Sequence, residues 1–196
     1  MEEHFKYIWD QVDKWLSFAE AKNAALIAFN VAVLAVIGDL ELKSYEATII
    51  IILLIIAMLI SMISFIPNLN SKILNKNDKS LKNEVITEKN LLFYGHIGNI
   101  KNAEQFIKET RDEYFSEESD KTAFSKLNID LASEIIINSK IAIKKYKFFK
   151  IASLLDSIAL IGIIILKIAP YIISNQPIIY LIIGIIMGIF IRSLFK

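Results

Sequence analysis

Apolar residues crowd into four blocks toward the two ends of the chain and leave a polar stretch between them. The second block, Ala47 to Ile66, reads ATIIIILLIIAMLISMISFI and holds no charge in 20 residues. At about 1.5 Å of rise per residue it is long enough to cross a hydrocarbon core of ~30 Å. Asn23 to Leu40 is shorter and also apolar, Ile151 to Ile173 carries Asp156, Lys167 and Pro170, and Pro177 to Phe195 is interrupted only by Arg192. Each block reads as a span. The connections Gly38 to Glu46 and Pro170 to Pro177 are short and turn the chain straight back. The pattern therefore predicts an all-α membrane protein with four transmembrane helices in two hairpins, 23–66 and 151–196.

Ahead of the first span, Phe5, Ile8, Trp9, Val12, Leu16 and Ala19 recur at helical spacing, with Lys6, Asp10, Asp13, Ser17 and Glu20 elsewhere around the helix. No Gly or Pro precedes Gly38, so this amphipathic helix, residues 1–22, is expected to continue unbroken into the membrane. The polar middle, 67–150, opens with SKILNKNDKSLKNE, a charged linker or exposed helix. Between Thr87 and Tyr114 the pattern is helix, a break around Gly95 and Gly98, and helix again, followed by a loop at Glu117 to Asp120. From about Thr122 a helix with Leu127, Leu131, Ile135, Asn138 and Ala142 on one face leads into the third span.

Charge sets the partners and the orientation. In 196 residues, of which 55% are hydrophobic, 22 basic side chains meet 21 acidic ones. A phosphate-neutralising protein needs a basic surplus on one face, so nucleic acid is excluded as a partner and the hydrophobic excess points to a lipid bilayer. Lys72, Lys76, Lys79 and Lys82 follow the first hairpin, and Lys140, Lys144, Lys145, Lys147 and Lys150 precede the second, while the opposite loops hold only Lys43 and, at a span end, Lys167. The positive-inside rule then predicts that both termini and the middle segment face the cytoplasm. The acidic, aromatic start MEEHFKYIWD is no cleavable signal, which makes the first span an uncleaved anchor.

Candidate chemistry is sparse. The chain has no cysteine, and its two histidines are His4 and His96. Disulfides, thiolate zinc sites and cysteine nucleophiles are thereby excluded, and no His-Glu-x-x-His or Walker loop can be assembled. Tyr94-Gly95-His96-Ile97-Gly98 is a weak glycine signal that follows no predicted strand. No enzyme, metal site or cofactor is expected. Polar groups within the spans are more informative, because an ionisable residue near the bilayer centre costs ~2.5–3.5 kcal/mol on insertion scales. Asp156 lies roughly 7–8 Å past the membrane boundary and Asn30 at nearly the same depth, so the two are expected to meet in the bundle; the alternative is that Asp156 snorkels toward Lys150 and water. Glu20 and Lys22 point about 200° apart on their helix and cannot pair with each other. Each should find its partner on another helix, most plausibly in the middle segment.

Three short stretches carry a resemblance. Trp15-x-x-Phe18-Ala19-Glu20-Ala21-Lys22-x-Ala24-Ala25 resembles the entry into the first span of the transmembrane effectors of bacterial Pycsar antiphage systems, with Glu20 where the family more often has Asp. Asn90-Leu91-Leu92-Phe93-Tyr94-Gly95-His96-Ile97 and Ser139-Lys140-Ile141-Ala142-x-Lys144-Lys145-Tyr146 are similar to two further family segments, in the same order. The resemblance implies an effector that responds to a cyclic nucleotide, cyclic UMP or cyclic CMP, made by an infection-activated cyclase. Because a four-span subunit of this size is too small to hold a pore alone, a homo-oligomer is expected; the resemblance also implies that the effector impairs the inner membrane and so causes abortive infection. Under that expectation Lys22 and one of Lys140, Lys144 or Lys145 receive the phosphate, and Trp15, Phe93, Tyr94 or His96 offers a stacking face. The alternatives are a salt bridge that fixes the helical stalk, with Phe93 and Tyr94 as core. At the level of the whole chain the alternative is a non-enzymatic membrane scaffold that binds a partner protein or anionic lipid through its lysines.

Overall fold

The computed structural model describes residues 1–38, 44–66, 90–115 and 125–168. Among these residues the ordered elements are all helices: α1 (Glu2–Ile37), α2 (Ser44–Ile63), a single turn α3 (Tyr94–Ile97), α4 (Ala103–Tyr114) and α5 (Lys126–Ile163), which continues as a π-helical segment, Ile164–Ile168. α1, α2 and α5 are long and apolar enough to cross a membrane. The predicted fourth span Pro177 to Phe195, the turn before it, the lysine-rich linker and the loop Glu117 to Asp120 lie outside the described residues, as do the centre of the first hairpin turn and the end of the third span.

α1 runs from its second residue to Ile37 without a break, as the absence of Gly and Pro requires. α5 starts at Ser125, whose side chain accepts the Asn128 N–H at 3.2 Å and satisfies one of the donors that a helix start leaves open. It then runs for 38 residues from polar sequence into apolar sequence. α4 starts in the same way, with the Asn102 side chain accepting the Gln105 N–H at 2.8 Å.

Two separate cores follow from this layout. At the polar end, Phe5, Ile8 and Val12 of α1 pack with Leu91, Ile97 and Ile100 around α3, Phe106 and Ile107 of α4, and Ala132, Ile135 and Ile136 of α5. The Phe5 and Phe106 rings meet at 5.7 Å. Each such large side chain contributes about 1.5–3 kcal/mol by burial, so this head holds α1 and α5 together outside the apolar spans. At the other end Ile37, Ile50, Leu54 and Ala159 form a smaller core joining α1, α2 and α5.

The predicted faces hold in period and largely in phase: Phe5, Ile8, Val12, Ala19, Ile135 and Ala142 are buried, and Leu131 packs against the head core. Phe5, Ile8, Val12 and Ala19 are fully buried on α1, whereas Trp9 is 37% exposed. On α5 the buried stripe is Ala132, Ile135, Ile136, Ser139 and Ala142, while Leu127 stands 48% exposed. Ala132 and Ser139 fill the close approach of α5 to the head beside Ile135 and Ile136, and Leu127 takes no part in the head core among the described residues.

Candidate functional site

The approach to α3 is built by Asn90. Its side-chain oxygen accepts the Leu92 N–H at 2.9 Å, and its own N–H donates to His96 Nδ1 at 2.8 Å. The first bond makes an Asx turn; the second pins His96 across the loop and leaves its ring proton on Nε2, which points a donor away from the loop. Between these anchors Phe93 and Tyr94 are held at the head's flank. Gly98 lets this turn press on α5, because a Cβ there would meet Ile143 Cδ1 at 2.5 Å and stand 3.3 Å from the Tyr94 carbonyl. Gly95 sits beneath the Phe93 ring, in the space a Cβ would need. The predicted break at the glycines is thus a one-turn helix that carries Gly95 and ends at Gly98.

Four of the candidate residues come together here. Phe93 lies 4.6 Å from Tyr94 and edge-on to His96 at 5.4 Å, and Trp15 lies 5.5 Å from Tyr94 and 6.5 Å from Phe93. Tyr94 in turn stacks on Tyr146 of α5, with centroids 5.3 Å apart and planes at 20°. Lys22 continues the run: its ammonium stands 5.4 Å from the Tyr146 ring, 5.3 Å from Phe149 and 4.5 Å from Phe18. The result is an aromatic band from His96 to Phe149 with a cation at one end, partly open to solvent at Trp15 and Phe93, which are 39% and 37% exposed. Burial pushes the Tyr94 and Tyr146 phenols up from their ordinary range, Tyr94 adding to the effect on Tyr146. Both hydroxyls therefore stay neutral donors near neutral pH, and the Tyr146 hydroxyl is buried without a hydrogen-bond partner among the described residues.

The remaining lysines separate. Lys145 pairs with Glu20 at 2.9 Å and donates to the Ser64 carbonyl, just past the end of α2, also at 2.9 Å. Its Nζ stands 5.6 Å from the Phe65 ring. One ammonium thus ties α1 and α5 to the negative end of α2, where a cation complements the helix dipole. Asn23, fully buried, adds a second tie: its Nδ2 donates to the Ala19 carbonyl at 2.9 Å and to the Lys145 carbonyl at 3.3 Å. Lys144 points outward over Phe148 at 5.7 Å. Lys140 is half-buried beside the Gly98 turn, and burial lowers its ammonium from the ordinary lysine value. Glu20 therefore has its partner in the middle segment, whereas Lys22 faces rings of α5 and of its own helix. Deeper in, Asn30 Nδ2 donates to Asp156 Oδ2 at 3.3 Å.

A profile of the Pycsar effector protein domain, PycTM, matches residues 4–173. The chain belongs to the PycTM family. Its role is accordingly that of an effector in Pycsar antiphage defence, and its apolar helices place it in a membrane. The PycTM domain is an effector domain and not a known catalytic one. No curated protein and no solved structure matches the chain.

Within this PycTM chain the structure adds Phe18, Asn23, Tyr146 and Phe149 to the residues singled out from sequence. A signal for two of them was present. Ala142, Tyr146 and Phe149 share one helical face at spacings of four and three, the face that follows the buried stripe of α5. Lys145 stood out in the sequence as one of several flanking lysines, and only the packing of α2 distinguishes it from Lys144.

Proposed function

We propose that this effector binds a cyclic pyrimidine mononucleotide, cyclic UMP or cyclic CMP, on the aromatic band at the head–span junction, and responds by oligomerising or rearranging its hairpins so that the inner membrane is impaired. In this reading both termini and the 67–150 segment are cytoplasmic, as the lysine distribution favours. The observation that carries the proposal is the continuous run of Phe93, Tyr94, Trp15 and Tyr146 rings ending at the Lys22 ammonium. A base has a π-face for the open rings, a phosphate has a charge for Lys22, and the neutral His96 Nε2–H is a donor for a base carbonyl.

Magnitudes make oligomerisation part of the mechanism. Base stacking contributes about 1–3 kcal/mol, and one hydrogen bond to a charged group about 1.5–3 kcal/mol. Moving a two-state equilibrium from 1:99 to 99:1 takes about 5.5 kcal/mol of differential affinity. With about 0.5–1.5 kcal/mol more from the His96 donor, a single ligand on a single subunit ranges from well short of this to somewhat above it, and an assembly that pools the bias of several ligands clears it with margin. A resting state that leaks would kill its host, so the bias must come from the ligand.

The test is the full chain reconstituted into dye-loaded liposomes and challenged with a panel of cyclic mononucleotides and cyclic oligonucleotides. Leakage set off by one pyrimidine cyclic mononucleotide, and lost in Lys22→Ala and Trp15→Ala proteins that still insert, is the expected result. Leakage that ignores every nucleotide, or inserted protein that never leaks, would instead favour a scaffold that recruits a partner.

A further inference from the structure

We propose that Asp156 holds a proton which it shares with Asn30, so that the pair is a proton-binding site buried in the span bundle. The inference is independent of any nucleotide ligand. Asn30 is fully buried and Asp156 only 3% exposed. One hydrogen bond joins them, from Asn30 Nδ2 to Asp156 Oδ2 at 3.3 Å. Their other two oxygens, Asn30 Oδ1 and Asp156 Oδ1, are buried and have no hydrogen-bond partner among the described residues.

These two orphans have a common remedy. An ionised carboxylate only accepts, and so does an amide oxygen, so neither can satisfy the other. A proton on Asp156 Oδ1 converts that oxygen to a donor, and the amide oxygen of the same Asn30, itself without a partner among the described residues, can accept it. The pair closes into an acid–amide ring with two hydrogen bonds, and one proton removes both vacancies. That proton is taken from water when the pair forms and returns to water when the pair opens, so no other reactant enters.

Among the described residues of the spans, no other charged group competes for the pair. Asn23 to Gly38 on α1, Ala47 to Ile66 on α2 and Ile151 to Leu166 on α5 contain no charged residue besides Asp156. The residues packed around Ala159, one turn further along α5, are Ile37, Ile50 and Leu54, with Val33 and Leu34 beside them. The nearest cations along the chain are Lys150, about 9 Å of helix rise from Asp156, and Lys22, about 12 Å from Asn30. Lys22 is turned to aromatic rings, and Lys145, further out, is held by Glu20 and the Ser64 carbonyl. Glu20, Glu46 and Lys167 stand at the far margins of the apolar segments. Nor is a metal ion a fitting occupant, because hard cations take about six oxygen ligands and the pair offers two free ones.

The consequence is a neutral seam between α1 and α5. If the two helices part, the acid loses its amide partner and meets water, and the carboxylate left after the proton departs opposes re-docking against apolar neighbours.

Infrared spectroscopy of the full chain in lipid bilayers, with no nucleotide present, tests this. The expected spectrum at neutral pH contains the C=O stretch of a protonated carboxyl that shifts down in D2O and disappears in Asp156→Asn. An asparagine at 156 can still pair with Asn30, so that variant keeps the seam closed and its helical amide signal unchanged. In Asn30→Leu the band should move to higher frequency as its hydrogen bond is lost. Inserted, helical protein without the band, or a band that survives in Asp156→Asn, would overturn the proposal.

Discussion

His4 shows how a single side chain gives the head a pH dependence. Its ring lies 5.2 Å from Tyr114 and 5.4 Å from Phe115, tying the start of α1 to the end of α4. Burial first, and the N-terminal ammonium second, lower its pKa from the ordinary 6.5. The unfolded chain therefore binds the proton more readily than the folded one. This contact is fully stabilising above 6.5 and loses strength as pH falls from there toward the folded value. Hydrogen exchange in the first turns of α1 should accelerate beyond the intrinsic trend as pH falls below 6.5, and His4→Phe should abolish the excess. At the junction, Lys145→Met should cost about 1–2 kcal/mol in thermal or denaturant unfolding, most of it from the lost cap on α2, because Glu20 is 46% exposed and its ion pair is screened. Tyr146→Phe removes a hydroxyl that has no partner among the described residues, so the melting temperature should hold or rise slightly. If that hydroxyl meets a ligand, nucleotide-triggered leakage should nevertheless fall.

At the scale of elements, α1 and α5 were legible because nothing in either interrupts a helix, and the head's inner face on α1 was legible from its period. The phase of α5 was legible in part. Ile135 and Ala142 are buried and Leu131 packs against the head core, whereas Ala132 and Ser139 join the buried stripe and Leu127 does not, which depends on neighbours far away in sequence. The aromatic band was half legible for the same reason: Trp15, Phe93, Tyr94 and His96 are conspicuous, while Tyr146 and Phe149 join them only once Lys22 is seen against their rings. Gly98 is where two elements meet, so Gly98→Val should overpack the contact with Ile143 and the Tyr94 carbonyl. The expected cost is about 1–3 kcal/mol, read as unfolding of the head together with increased solvent quenching of Trp15 fluorescence.

On the scale of the whole molecule, the head core and the span core are joined by helices with no hinge between them among the described residues. One alanine inserted after Lys150 would turn the rest of α5 by about 100° and take Asp156 off Asn30, while leaving the head core upstream in place. Such a protein should fold its head and insert, and yet give no leakage with the activating nucleotide. The unbroken run of α1 has a mechanical meaning as well. A rod of 36 residues is about 54 Å long, and tilting it by about 5° around one end sweeps the other through about 5 Å, on the order of a full helical turn of travel. The ties at Lys145 and Asp156 grip the rod at two heights, so a tilt cannot be taken up by slip at one of them. A small change of angle at the head is thus carried along the rod to Ile37 as a shift of several ångströms.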